Sequence, residues 1–110
     1  WSVTDVVNPF APGRSELTPN LKSIVRKHVR TYAQFASHVS CAGFTMGPTV
    51  LRVDAALSLS RAKAVCDYVS ELRPRLIVDT VEGRQDLIVA DRIRRAEVTF
   101  FRPGVASSSE

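Results

Sequence analysis

The stretch Leu57-Ser58-Leu59-Ser60-Arg61-Ala62-Lys63-Ala64-Val65 lies near the middle of the chain and is central to predicting its fold. Apolar residues recur in and after this stretch at intervals typical of a helix with one buried face: Leu57, Ala64, Val65, Tyr68, Val69 and Leu72. Asp54 is a suitable N-cap for this helix, and Pro74 stops it soon after Leu72. The sequence therefore predicts an amphipathic helix from about Asp54 to Leu72.

One charged residue interrupts the apolar face of this predicted helix. Arg61 lies four residues from both Leu57 and Val65, so helical geometry directs its guanidinium toward the edge of the core. Arginine is rarely buried without a partner. Either an internal carboxylate pairs with it, or its head reaches a pocket and binds an anion there. The residues alone leave both interpretations open.

The first part of the chain predicts a strand, a helix and a second strand. Val3–Phe10 reads as a strand that Pro9, Pro12 and Gly13 interrupt. Thr18-Pro19 is typical of a helix start, with a threonine cap and proline in the first turn. The apolar stripe of the helix that follows is formed by Leu21, Ile24, Val25, Val29 and Tyr32. His38–Thr45 then alternates in the manner of a strand.

The last part of the chain predicts two further strands. Arg75–Val81 is the first of them, and Gly83 ends it. A polar connection, Arg84–Asp91, contains the short apolar run Leu87-Ile88-Val89 and leads to a final strand at Arg94–Phe101. The order β/α/β/α/β-β predicts an α+β fold in which two helices pack on one face of a small mixed sheet. We expect a single domain over residues 1–105 and a flexible polar tail over residues 106–110.

Composition limits the classes of function that the chain can have. The formal net charge is +4, from 15 basic and 11 acidic residues, and the basic residues are spread along the chain rather than forming one run. They indicate either solvated faces with some ion pairing, or a negatively charged partner such as an anionic wall polymer, a carboxylate ligand or nucleic acid. Without an RNA-binding aromatic motif or zinc-finger spacing, no nucleic-acid partner is expected. No apolar run approaches the length of a membrane span, so we expect no membrane insertion.

Catalytic and metal-binding patterns are absent from the sequence. The two histidines, His28 and His38, are not accompanied by a serine elbow, metal-ligand spacing or a glycine-rich phosphate loop. We therefore expect a protein that is not an enzyme and that needs neither a metal nor another cofactor.

Two cysteines lie on elements that we expect to pack together. Cys41 is on the second predicted strand, and Cys66 is next to Val65 on the second helix. A disulfide between them is geometrically plausible and would close a loop of 25 residues, worth about 3–4 kcal/mol in the chain-entropy model. The alternative is a pair of buried free thiols in a cytosolic protein.

The second helix resembles a known motif. Its stretch from Leu57 to Val65 closely matches the leucine-serine-x-x-arginine-alanine-x-x-valine helix of OmpA-like domains. Gly43-Phe44-Thr45 resembles the start of their glycine-x-threonine-aspartate segment, and it precedes Arg61 at the interval typical of that family. Arg94-Arg95-Ala96-Glu97-Val98 resembles their last strand, and Phe10–Pro19 resembles the approach to their first helix. The resemblance extends over about residues 5–101.

The resemblance implies a module that binds peptidoglycan non-covalently. It implies that Arg61 takes the carboxylate of diaminopimelate in the stem peptide, while a loop aspartate takes the ammonium group. It also implies export to the cell envelope, as a secreted or membrane-anchored protein. The two cysteines look like those of exported actinobacterial members of the family, which favours the disulfide between Cys41 and Cys66.

Three positions depart from the family pattern, and one of them is Ile93, which replaces the asparagine before the paired arginines. Met46 stands where the aspartate is expected and cannot hold an ammonium group, which predicts weakened binding. Asp54 replaces an asparagine; it either caps the helix or supplies the missing negative charge from the other side of the loop. Thr45 remains able to hydrogen-bond a ligand.

Two hypotheses follow from the resemblance. The first is a wall-binding module in which Arg61 faces an open polar pocket near Thr45, Met46 and Asp54. The second is a degenerate OmpA-like domain that contacts another envelope protein without binding peptidoglycan. Met46 motivates the second hypothesis, because methionine is common at adaptable contact surfaces.

Overall fold

Four strands, two α-helices and one 3₁₀ turn make up the part of the chain that the computed structural model describes, residues 1–46, 52–86 and 94–103. In chain order these elements are β1 (Ser2–Val7), α1 (Pro19–Tyr32), the 3₁₀ turn (Ala33–Phe35), β2 (His38–Met46), α2 (Arg52–Leu72), β3 (Ile77–Asp86) and β4 (Ala96–Phe101). The predicted order of helices and strands is confirmed.

The strands form one mixed sheet in the order β1-β4-β2-β3. β4 runs antiparallel to both of its neighbours, whereas β2 and β3 are parallel. Parallel neighbours need a crossover connection, and α2 provides it. The helices pack on one face of the sheet and enclose the core, so the predicted α+β architecture is confirmed.

The core lies between this sheet face and the two helices. Its members from the sheet alternate along their strands, as the two-residue period requires. The buried hydrophobic residues of the core include Val7, Val39, Cys41, Val98 and Phe100 from the strands, and Leu21, Val25, Val29, Val65 and Val69 from the helices. Among the described residues, no helix has both the length and the apolar character needed to cross a membrane.

The predicted start of α1 is confirmed in detail. The hydroxyl oxygen of Thr18 accepts a hydrogen bond from the backbone N–H of Leu21, at 3.2 Å, and Pro19 is the first helical residue. Proline is tolerated there because its missing N–H would have no partner within the helix.

Several predicted boundaries were wrong. β3 and β4 begin at Ile77 and Ala96, each two residues later than predicted. β1 ends at Val7, before the predicted Phe10. Asp54 lies inside α2, whose first described residue is Arg52, so Asp54 is not the N-cap. β3 does not end at Gly83 but continues to Asp86, because its backbone stays paired with β2 over that distance. The predicted run at residues 87–89 and the tail at residues 106–110 lie outside the described residues.

Two glycines explain why α2 lies so close to the sheet. Gly43 on β2 and Gly83 on β3 are register partners in the parallel pair. A Cβ atom added at Gly43 would overlap the carbonyl oxygen of Ser58 and lie 2.9 Å from the backbone nitrogen of Ala62. One added at Gly83 would overlap the Ser58 side chain and lie 2.8 Å from the backbone nitrogen of Leu59. Gly83 is therefore a packing residue rather than the end of a strand.

A disulfide joins the same strand and helix. Cys41 on β2 and Cys66 on α2 are bonded, with their Cα atoms 6.0 Å apart, and the bond closes a loop with a sequence separation of 25. The structure thus contains the bridge that the sequence predicts.

Substituting alanine for Gly43 is expected to destabilise the domain by about 3 kcal/mol or more, because the added carbon meets helix backbone that cannot rotate away. The free energy of unfolding measured by urea titration would show this. Gly13→Ala is the matched control, because nothing lies within 4 Å of its added carbon and its φ of +69° alone is strained. That strain costs about 1 kcal/mol. Equal losses in the two variants would contradict the steric explanation.

Removing the disulfide is expected to lower the free energy of unfolding by about 3–4 kcal/mol, because the unfolded chain regains the entropy of the closed loop. A Cys41→Ala/Cys66→Ala double variant, compared with wild type by urea titration, tests this. Adding a reductant should destabilise the wild type by a similar amount and leave the double variant unchanged. A reductant effect of the same size on both proteins would argue against the bridge.

Candidate functional site

The candidate site lies where α2 passes over the end of β2. Arg61 comes three residues after Ser58, whose backbone is in close contact with Gly43. This contact brings the Arg61 side chain to the end of β2 and under the connection between β1 and α1. The arginine is 1% exposed and is among the largest fully buried side chains described. The sequence correctly placed it on the buried face of its helix.

Main-chain carbonyls accept hydrogen bonds from the Arg61 guanidinium. Nε donates to the carbonyl oxygen of Arg14 at 2.9 Å, and Nη2 donates to that of Ala11 at 3.3 Å. Nη1 donates to the carbonyl oxygen of Phe44 at 2.8 Å. Arg61 therefore fixes the position of the β1–α1 connection relative to the end of β2. Neither interpretation offered by the sequence included this role.

A second arginine and an aromatic ring shape the environment of this group. The Arg61 Cζ atom lies 5.3 Å from the centroid of the Phe10 ring, within the range of a cation–π contact. Arg94 donates from Nε to the Phe10 carbonyl at 2.9 Å. Burial lowers the pKa of Arg61, and the nearby positive charge of Arg94 lowers it further. The guanidinium still stays charged, because arginine does not lose its proton in proteins.

Arg95 makes a similar arrangement on the other side of β2. Its Cζ atom lies 3.8 Å from the centroid of the Phe44 ring, and its Nε donates to Glu97 Oε2 at 3.2 Å. Its carbonyl oxygen accepts the backbone N–H of Phe44 at 2.8 Å. The sequence had placed Arg94 and Arg95 only in a strand motif. The two phenylalanines, Phe10 and Phe44, were the signal that could have connected these arginines with Arg61.

Thr45 supplies the second notable polar group of the site. It is 2% exposed, and its hydroxyl oxygen has no hydrogen-bond partner among the described residues. Buried hydroxyls are usually hydrogen-bonded, and one that is not costs free energy. Thr45 directly follows Phe44, whose carbonyl oxygen binds Arg61. The structure therefore brings Thr45 and Arg61, both predicted site residues, to the same end of β2.

The other two predicted site residues are described only by their backbone. Met46 is the last residue of β2 and pairs in register with Asp86 on β3. Asp54 lies in the first described turn of α2, seven residues before Arg61. The side chains of Met46 and Asp54 lie outside the described part of the structure, so their contribution to a pocket remains a prediction. Within residues 1–46, 52–86 and 94–103, no group of three or more His, Cys, Asp or Glu side chains could hold a metal ion.

Comparison with known proteins gives matches only at the level of three-dimensional structure. No protein-family model and no curated protein matches the sequence. The cell wall anchor of the T6SS from Pseudomonas aeruginosa superposes with a TM-score of 0.70 at 20% identity, over 91% of this chain and 81% of the other. The OmpA-like domain of FopA1 from Francisella tularensis gives 0.66 at 20% identity, over 89% and 71%. The chain has an OmpA-like fold.

A third structure with the same fold is the peptidoglycan-associated lipoprotein from Burkholderia pseudomallei, with a TM-score of 0.59 at 18% identity. It covers 86% of this chain and 88% of the other. Identities this low establish the OmpA-like fold and no more. The fold nevertheless agrees with the resemblance seen in the sequence around Arg61.

The Arg61→Lys variant is expected to lose about 2–4 kcal/mol of unfolding free energy, because an ammonium group cannot reach three separated buried carbonyls. Arg75→Lys is the matched control. Arg75 also holds main-chain carbonyls, those of Ala33 at 2.8 Å and Ala36 at 3.0 Å, but its side chain is exposed. Water can replace an exposed donor, so we expect a loss of about 1 kcal/mol or less there. Similar losses in urea titrations of both variants would contradict the structural role of Arg61.

Proposed function

We propose that this domain binds peptidoglycan non-covalently and anchors its protein to the bacterial cell wall. The observation that carries the proposal is the fixed, buried guanidinium of Arg61, at the arginine position of the OmpA-like helix motif and on an OmpA-like fold. Two of the proteins that share this fold are described as a cell wall anchor and as a peptidoglycan-associated lipoprotein.

The chemistry of the site suits a carboxylate. Arg61 and Arg94 place two positive charges near the end of β2, and burial keeps water from screening the first of them. The unpartnered hydroxyl of Thr45 offers a further hydrogen bond to a ligand. We propose that this end of the domain recognises the carboxylate of diaminopimelate in the stem peptide.

In this domain, the ammonium group of diaminopimelate would find no aspartate at the family's usual position. Met46 occupies the position of the family's aspartate, so the domain would bind more weakly than relatives that keep the acid. Asp54, in the first described turn of α2, is the residue that we propose as a substitute negative charge.

The disulfide supports a location outside the cytoplasm. Disulfides persist in oxidising compartments, and Cys41–Cys66 joins two core elements of the domain. We therefore place the domain in the cell envelope, in the two-cysteine form that resembles actinobacterial members of the family. The role that we propose is binding, without catalysis, metal or cofactor.

Sedimentation with purified peptidoglycan sacculi tests this proposal. We expect the wild type and Arg75→Lys to pellet with sacculi and to be released by free diaminopimelate. Arg61→Ala should lose about tenfold or more in affinity, because a buried charge partner of the ligand is removed. Met46→Asp should bind more tightly than wild type. Circular dichroism of each variant separates lost binding from lost folding.

A second function is favoured by the burial of Arg61. A guanidinium that is 1% exposed and bonded to carbonyls of Ala11, Arg14 and Phe44 is suited to a purely structural role. The domain would then be a degenerate OmpA-like module that contacts an envelope protein. If wild type and Arg61→Ala pellet equally poorly while Met46→Asp gains binding, this second function replaces the first.

A further inference from the structure

A groove between the two helices carries an unusual concentration of arginine. It has a volume of about 180 Å³ and is lined by Arg26, Val29 and Arg30 from α1 and by Leu72 and Arg73 at the end of α2. Arg73 follows Arg61 by twelve residues, a distance of about 18 Å along a helix. This arginine groove is therefore separate from the candidate peptidoglycan site.

The three arginines of the groove are not neutralised by the described part of the protein. The salt bridges described there join Arg14 with Glu16, Arg84 with Glu82, and Arg95 with Glu97, and the His28 ring lies within 3.3 Å of the Asp5 carboxylate. None of these pairs includes Arg26, Arg30 or Arg73. Three like charges around one groove repel one another, and a bound anion would relieve this repulsion.

The hydrogen bonds of these arginines leave most of their donors unused within the described residues. Arg26 donates from Nη1 to the Tyr68 hydroxyl at 2.9 Å, and Arg73 donates from Nη1 to the Leu72 carbonyl at 2.9 Å. Each guanidinium has five N–H donors, so the arginines retain several for a ligand.

The helix dipole explains only part of the concentration of arginines around the groove. Cations in the last turn of a helix are stabilised by its dipole, which explains Arg30 in α1; Arg73 directly follows the last residue of α2. Arg26 lies in the middle of α1 and has no such explanation. Arg26 contacts Tyr68, and Arg30 lines the groove with Arg73, so the two helices run in the same direction and their C-terminal ends lie side by side.

The arginines of this groove suit a phosphate, whose several oxygens can accept hydrogen bonds from more than one guanidinium. Guanidinium groups bind phosphate through paired, charge-assisted hydrogen bonds. The cationic surface also continues past the groove, since the Lys22 ammonium lies 5.5 Å from the Tyr68 ring centroid. From Lys22 to Arg30 is about 12 Å along α1, which is longer than a single phosphate ion. We propose that the groove binds a phosphodiester chain, as found in anionic polymers.

Titration calorimetry with a synthetic glycerol-phosphate oligomer, and with inorganic phosphate as a second arm, tests this site. We expect saturable binding of the oligomer, tighter than that of inorganic phosphate. The Arg26→Gln/Arg30→Gln variant should lose about tenfold or more in affinity. Lys27→Gln/Lys63→Gln is the matched control, because it removes the same charge from exposed positions on the same two helices. It should lose less than about threefold, since long-range attraction is screened.

Equal losses in the two double variants, or no saturable binding of the oligomer, would overturn the proposal. If the oligomer binds no more tightly than inorganic phosphate, the proposal that the groove recognises a phosphodiester chain is wrong. Arg61→Ala should bind the oligomer like wild type, so this site and the proposed peptidoglycan site can fail independently. Thermal unfolding of every variant confirms that the proteins compared are folded.

Discussion

The close packing of α2 on strands β2 and β3 is the constraint on which the rest of the structure depends. It requires glycine at both Gly43 and Gly83, because a side chain at either position would collide with Ser58. The disulfide from Cys41 to Cys66 also joins β2 to α2, at a later point along the helix. A steric fit and a covalent bond therefore fix one helix at two points.

Arg61 lies between these two fixed points, and its position follows from them. A long flexible side chain normally loses conformational entropy when it is ordered. Here the hydrogen bonds to the carbonyls of Ala11, Arg14 and Phe44 offset that loss. Through these hydrogen bonds, Arg61 connects the β1–α1 segment to the sheet. A residue with a proposed binding role thus also has a structural one, and the two roles compete for the same N–H groups.

The sequence predicted several local features well and the long-range contacts of Arg61 poorly. The Thr18-Pro19 helix start and the buried position of Arg61 follow from spacing within a few residues, and both are present. The acceptors of Arg61 are 47 and 50 residues away in Arg14 and Ala11, so no local pattern could identify them. The sequence predicts a strand end at Gly83, whereas the glycine is required there because α2 packs over it. The roles of Met46 and Asp54 stay predictions.

The antiparallel pairing of β1 with β4 determines where attached polypeptide would leave the domain. Ser2 pairs with Phe101, and the backbone N–H of Arg102 donates to the carbonyl oxygen of Trp1 at 3.0 Å. Arg61 contacts the opposite ends of the strands, about 20 Å away for strands of this length. A fusion partner at Trp1 would therefore project from the far pole, away from the end of the domain that contains Arg61.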